Sequence, residues 1–235
     1  MKKTILLSSI FAVGAAFAAA TVDSPNVIGT LPVEVSTGQQ LMAAPFADSD
    51  GTIAVNDMVK TANLSQDDAL YVAKPDGYEK WTFDAENRKW VQAKKVTIGA
   101  NGVVTEGEAL SATEVKINRG DAFWLKTAKG GDVTLLGSKS DADPSVAEAG
   151  KWNLVGNTSL SPVTIQDNKP FDGLSTNDKL VLPQADGTLM TYTYKANKGW
   201  RIPDGNGGWI VASNLSIAAG KGCWLKTKET VTIAW

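Results

Sequence analysis

The chain has 235 residues, with 23 Lys and Arg against 25 Asp and Glu, no histidine, one cysteine and 8 tryptophans. A net charge of −2 leaves no basic excess for binding nucleic acid or an anionic membrane. One cysteine closes no internal disulfide, and the lack of histidine removes Ser-His-Asp and Cys-His catalysis together with most zinc and copper sites.

In chain order the first element is MKKTILLSSIFAVGAAFAAA, residues 1–20. Lys2 and Lys3, an apolar run too short to span a bilayer, and small residues at Ala16, Ala18 and Ala20 have the layout of a secretory signal peptide. Cleavage after Ala20 leaves 215 residues with a net charge of −4, enough for one large β domain or two of roughly 100 residues. No cysteine stands directly after that site, where Thr21 follows, so a lipid anchor is not expected. The expectation is export to the periplasm, cell surface or medium, and not an integral membrane protein.

The rest is rich in Gly, Thr, Val and Trp, with short apolar runs between turn residues, which predicts an all-β fold. An opening strand in "QQLMAAPF" is followed by a short turn or helical segment in "VNDMVKTA" and a hairpin at Asp76-Gly77. A second hairpin, a strand holding Trp124-Leu125-Lys126 and a closing strand in "DVTLLG" complete the series. Residues 138–150, small, polar and proline-containing, read as a linker.

The same order then recurs, from "KWNLVGN" through a hairpin at Asp186-Gly187 to Trp224-Leu225-Lys226 and "ETVTIAW". Leu64-Ser65-Gln66-Asp67-Asp68-Ala69-Leu70 matches Leu174-Ser175-Thr176-Asn177-Asp178-Lys179-Leu180 at an offset of 110, and Trp90 matches Trp200. Between these anchors an offset of 111 is required, because it sets Trp81 and Phe83 on Tyr192 and Tyr194 and keeps one strand face apolar. Farther on, Gly120 and Trp124 match Gly220 and Trp224 at an offset of 100, so the first copy carries ten extra residues. They are expected as a hairpin insertion near 95–106, around Asn101-Gly102. The predicted architecture is two tandem homologous domains, each a small β-sandwich or barrel-like unit, over residues 21–137 and 151–235.

Cys223 stands where the other copy has Phe123, on the strand side shared with Leu225, while Trp224 and Lys226 point to the opposite side. With no histidine to hold it as thiolate it reads as a buried thiol; intermolecular pairing and a reactive role are the alternatives. Asp67, Asp68, Asp76, Asp178, Asp186 and Asp204 fall in predicted turns, where local backbone hydrogen bonds account for them; a polysaccharide hydrolase using paired carboxylates is the enzymatic alternative. "DSDG" at 48–51 resembles part of a calcium loop but lacks the spaced third ligand and the closing Glu, so neither a metal nor a cofactor is expected. Trp90, Trp124, Trp200 and Trp224 recur in both copies and are expected as framework in the cores. Tyr78 and Trp209, and after them Trp81, near hairpin tips and without exact counterparts, are the candidates for stacking on a sugar ring, with a packing role as the other reading. The terminal "VTIAW" is similar to the closing strand of an outer-membrane barrel, although the other strands are too short or too charged for one.

Taken together, "KWNLVGN", "LSTNDKLVL" and "IAAGKGCWLKT" resemble a β-rich module of exported proteins of Gram-negative bacteria, including those of the Verrucomicrobia and Lentisphaerae kind. Its pattern is roughly W-N-L-[IV]-[GS]-[NIV] and then G-x-G-[FY]-W. "QQLMAAPF" departs from it at the start of the first copy, and Cys223 departs where an aromatic is usual. The resemblance implies an exported protein and carries no catalytic residues; together with the missing histidines and the tryptophan content the expectation is a non-enzymatic structural or binding protein, with a glycan or cell-envelope component as partner. Oligomeric state stays open.

Overall fold

The computed structural model describes residues 28–60, 63–74, 77–92, 96–98, 104–106, 116–138, 145–165, 169–184 and 186–235. The expected signal peptide, the turn residues Asp76 and Asn101-Gly102, and residues 139–144 of the expected linker lie outside these.

The chain is built almost wholly of short strands. The first run is β1 (Ile28–Val35), β2 (Gly38–Ala43), β3 (Thr52–Ala54), the single-turn helix α1 (Val55–Met58), β4 (Val59–Lys60), β5 (Ala69–Lys74), β6 (Gly77–Asp84) and β7 (Lys89–Gln92). It continues through β8 (Val96–Ile98), β9 (Val104–Glu106), β10 (Lys116–Asn118), β11 (Ala122–Thr127) and β12 (Gly131–Ser138). A second run follows as β13 (Ser145–Ala147), β14 (Trp152–Gly156), β15 (Val163–Thr164), β16 (Phe171–Asp172), β17 (Lys179–Pro183) and β18 (Leu189–Lys195). It closes with β19 (Gly199–Pro203), β20 (Trp209–Val211), β21 (Ser216–Ile217), β22 (Gly222–Lys226) and β23 (Val231–Ile233).

The fold is therefore all-β, and the two runs pair alike. The first forms sheets ordered β1-β12-β4, β10-β3 and β2-β11-β5-β6-β7; the second forms β13-β23-β16, β15-β21 and β14-β22-β17-β18-β19-β20. Side chains of alternate parity fill one core in each run. Leu70, Trp81, Phe83, Trp90, Phe123, Leu125 and Leu135 are buried in the first, and Phe171, Leu180, Tyr194, Trp200, Cys223, Leu225 and Val231 in the second. Burying each of the larger of these stabilises by about 1.5–3 kcal/mol.

The turns show which local chemistry sets the strand register. Asp67 and Asn177 have φ of 68° and 78°, a conformation Asp and Asn tolerate better than most side chains. The buried Asp68 accepts from Ser65 N at 2.8 Å and Ala128 N at 2.8 Å, while Asp178 accepts from Ser175 N at 2.7 Å and Lys228 N at 2.9 Å. Each carboxylate thus ties the turn before a central strand to the end of the neighbouring Trp-Leu-Lys strand. The stacked rings agree as well: Phe83 meets Trp90 at 5.3 Å and 63°, and Tyr194 meets Trp200 at 5.5 Å and 63°.

Several details differ from the sequence expectation. The Asp186-Gly187 hairpin is closed by Gln184 N to Thr188 O at 2.8 Å and by Gly187 N to Gln184 O at 3.0 Å, with Gly187 left-handed at φ 83°. Within the stretch expected as a linker, Ser145–Ala147 is a strand on β23, and its Ala147 is fully buried. β23, whose sequence is similar to a barrel closing strand, lies between β13 and β16, and Trp235 packs on Phe171 at 5.7 Å. Near 95–106, β8 and β9 pair antiparallel from Val96↔Glu106 to Ile98↔Val104. Among the described residues no helix is long and apolar enough to cross a membrane.

Candidate functional site

The strands β11 and β22 carry the repeated Trp-Leu-Lys phrase. Their inward side chains, Phe123 and Leu125 in one and Cys223 and Leu225 in the other, are fully buried. Cys223 lies beside Val155 in the β14–β22 register, and burial pushes its thiol well above the ordinary thiol range. A thiol so held carries almost no thiolate at neutral pH and makes a poor nucleophile. Native protein is expected to leave a thiol-specific reagent unreacted until denaturant is added, and Cys223→Ser to cost about 1–3 kcal/mol by burying a hydroxyl. Fast labelling of the folded protein is the opposite result.

Trp124 and Trp224 do not belong to the cores, contrary to expectation. They point outward from their sheets, half-buried, and meet each other with centroids 5.0 Å apart at 57°. The strands around them approach closely. Ala43 N donates to Gly220 O at 2.9 Å and Gly156 N to Gly120 O at 2.7 Å, joining the two runs directly. Gly156 and Gly222 allow this, because a Cβ on either would come within 2.5 Å and 2.6 Å of the Ala43 and Ala122 methyls.

Two crevices draw their lining from both runs. The smaller, about 660 Å³, is lined by Asn118, Asp121, Glu148 and Trp152 among others. Burial raises the Asp121 carboxyl above its ordinary value, opposed by the hydrogen bond from Asn118 Nδ2 at 2.8 Å. The larger, about 1100 Å³, takes Gln39, Gln40 and Trp124 from the first run and Gln184, Tyr192 and Lys221 from the second. Burial draws the Lys221 ammonium down to about 8, partly offset by the charge of Glu34.

The aromatic candidates separate. Trp81 is 2% exposed, on the same core-facing side of β6 as Phe83, so it offers no surface to a ligand. Trp90 and Trp200 are buried framework, as the recurrence predicts. Tyr78 is 52% exposed, and Trp209, at 45%, lies on the outermost strand of its sheet with Lys195 Nζ 4.5 Å from its ring centroid. The two belong to different sheets. Sequence reasoning missed Trp152, which is 48% exposed with Lys226 Nζ 5.9 Å from its ring centroid. Its place in the "WNL" phrase disguised it as framework; the glutamine at the equivalent place in β2 is the signal that the position faces outward.

The carboxylates are largely engaged by the chain itself. Asp50 accepts from Thr52 N at 3.0 Å and pairs with Lys116 at 2.6 Å, which holds its carboxyl well below the usual range. Asp204 accepts from Asn206 N and Gly208 N, both at 2.8 Å. Among the described residues no three His, Cys, Asp or Glu side chains are grouped to hold a metal ion. Comparison with known proteins finds no family model, no curated protein and no solved structure that matches this chain.

Proposed function

We propose that the chain is an exported protein of two tandem homologous β domains that acts by binding rather than by catalysis, with a saccharide as its ligand class. The alike sheet orders and the paired Asp68 and Asp178 turns support the duplication. The observation that carries the binding reading is Trp209, an exposed indole on an edge strand with an ammonium beside it. An indole face takes up the C–H face of a sugar, while a neighbouring amine donates to its hydroxyls. On a glycan array, purified mature protein is expected to bind at least one saccharide class, and Trp209→Ala to weaken that binding roughly tenfold or more, by analogy with aromatic anchors in other interfaces. Equal binding by the variant removes Trp209 from the site.

A hydrolase is the second reading, favoured only by Asp121, whose raised carboxyl lines the smaller crevice together with Glu148. Polysaccharide turnover abolished in Asp121→Asn would replace the binding reading.

A further inference from the structure

The larger crevice exists only where the two runs meet. One wall comes from the β1–β2 turn, β2 and Trp124, the other from the β17–β18 hairpin and the segment after β20. Its volume, about 1100 Å³, lies slightly above the usual range for ligand pockets and well above what one sugar ring fills.

The two charged side chains lining this crevice, Lys221 and Asp186, are of opposite sign and each already holds hydrogen-bond partners. Lys221 Nζ donates to Glu34 O at 2.9 Å and to Gln40 Oε1 at 2.6 Å. Asp186 Oδ1 accepts from Thr188 N at 2.9 Å and from its hydroxyl at 2.7 Å. The crevice therefore presents no net charge to a nucleotide, an acidic polymer or a polycation. The amides divide into fixed and free. Gln40 is held at both ends, since its Nε2 also donates to Ser36 O at 2.9 Å. Gln39 and Asn214 line the crevice with no side-chain hydrogen bond among the described residues, each offering both donors and an acceptor. Trp124 and Tyr192, both half-buried, supply aromatic surface beside them.

A ligand matching this surface is uncharged, has flat C–H faces for the aromatics and carries many groups that both donate and accept. Neutral pyranose chains have all three properties. We infer that this crevice is a binding site for a neutral oligosaccharide, separate from Trp209. The inference rests on the saccharide-binding reading and gives it a second location and a ligand charge.

The test is calorimetric titration of the intact mature chain with neutral hexasaccharides of glucose, xylose and mannose and with an acidic galacturonate hexamer. Gln39→Ala with Asn214→Gly removes the two crevice amides that hold no side-chain hydrogen bond, and glycine keeps the left-handed backbone at position 214, φ 59°. At least one neutral hexasaccharide is expected to bind, roughly tenfold or more weaker to this double variant and unchanged to Trp209→Ala. Binding lost in Trp209→Ala but kept in the double variant overturns the crevice while leaving the general reading in place. Preference for the galacturonate hexamer overturns the neutral assignment. Absence of binding to any saccharide overturns both.

Discussion

Asp178→Ala is expected to lower stability by about 3–4 kcal/mol, and Asp68→Ala by a similar amount, measured by urea unfolding. Each carboxylate is buried and accepts two backbone N–H groups, from Ser175 and Lys228 in one case and from Ser65 and Ala128 in the other. A hydrogen bond to a charged group contributes about 1.5–3 kcal/mol, and removing the acceptor leaves two partly buried donors without a partner. The loss is structural as well as energetic, because the bond from Lys228 is what ties the end of β22 to the turn before β17. Asn keeps one accepting oxygen, so Asp178→Asn should lose about half as much. A loss below about 1 kcal/mol in the alanine variants would show that water replaces the carboxylate readily and that these turns are held by other contacts.

Gly156→Leu is expected to part the two halves of the molecule. Any Cβ at this position meets the Ala43 Cβ at 2.5 Å, the Ala43 Cα at 2.8 Å and the Asp121 carbonyl oxygen at 2.9 Å. Two of the three are backbone atoms, so no rotamer change relieves the clash. Overpacking of this kind costs about 1–3 kcal/mol or more. The bond from Gly156 N to Gly120 O and the contact between Trp124 and Trp224 lie at the same place. The near-ultraviolet circular dichroism of two indoles 5.0 Å apart should therefore fall along with the stability. Gly187→Ala is the control: it has nothing within 4 Å and only the strain of φ 83°, so a cost of about 1 kcal/mol and an unchanged spectrum are expected. An unchanged spectrum in Gly156→Leu would mean that the two halves have another way to dock.

Both crevices are lined by residues of the two runs, so the proposed binding site in the larger one needs the junction intact. Gly156→Leu should therefore also weaken any ligand held in the larger crevice, while a ligand held by Trp209 is untouched. This separates an effect on the junction from one on the edge strand.

Alternation along a strand was legible in the sequence. It put Phe123 and Leu125 on one side and Trp124 on the other, set Cys223 in the place of Phe123, and aligned Trp81 and Phe83 with Tyr192 and Tyr194, because successive side chains in a strand point oppositely. All-β composition and the hairpin positions were readable for the same local reason, since turn residues carry their own backbone preferences. Period two says which residues share a side; it does not say what that side faces. Only the tertiary structure decided that the outward side of β11 and β22 meets its counterpart, which makes Trp124 and Trp224 a junction rather than core. Likewise, only packing decided that Trp81 is covered by its own sheet's core while Trp152 and Trp209 stay exposed. Strands of two or three residues such as β13, β15 and β16 have no periodic signature. They form because neighbouring strands present backbone groups that must be paired, and that demand exists only once the chain has folded.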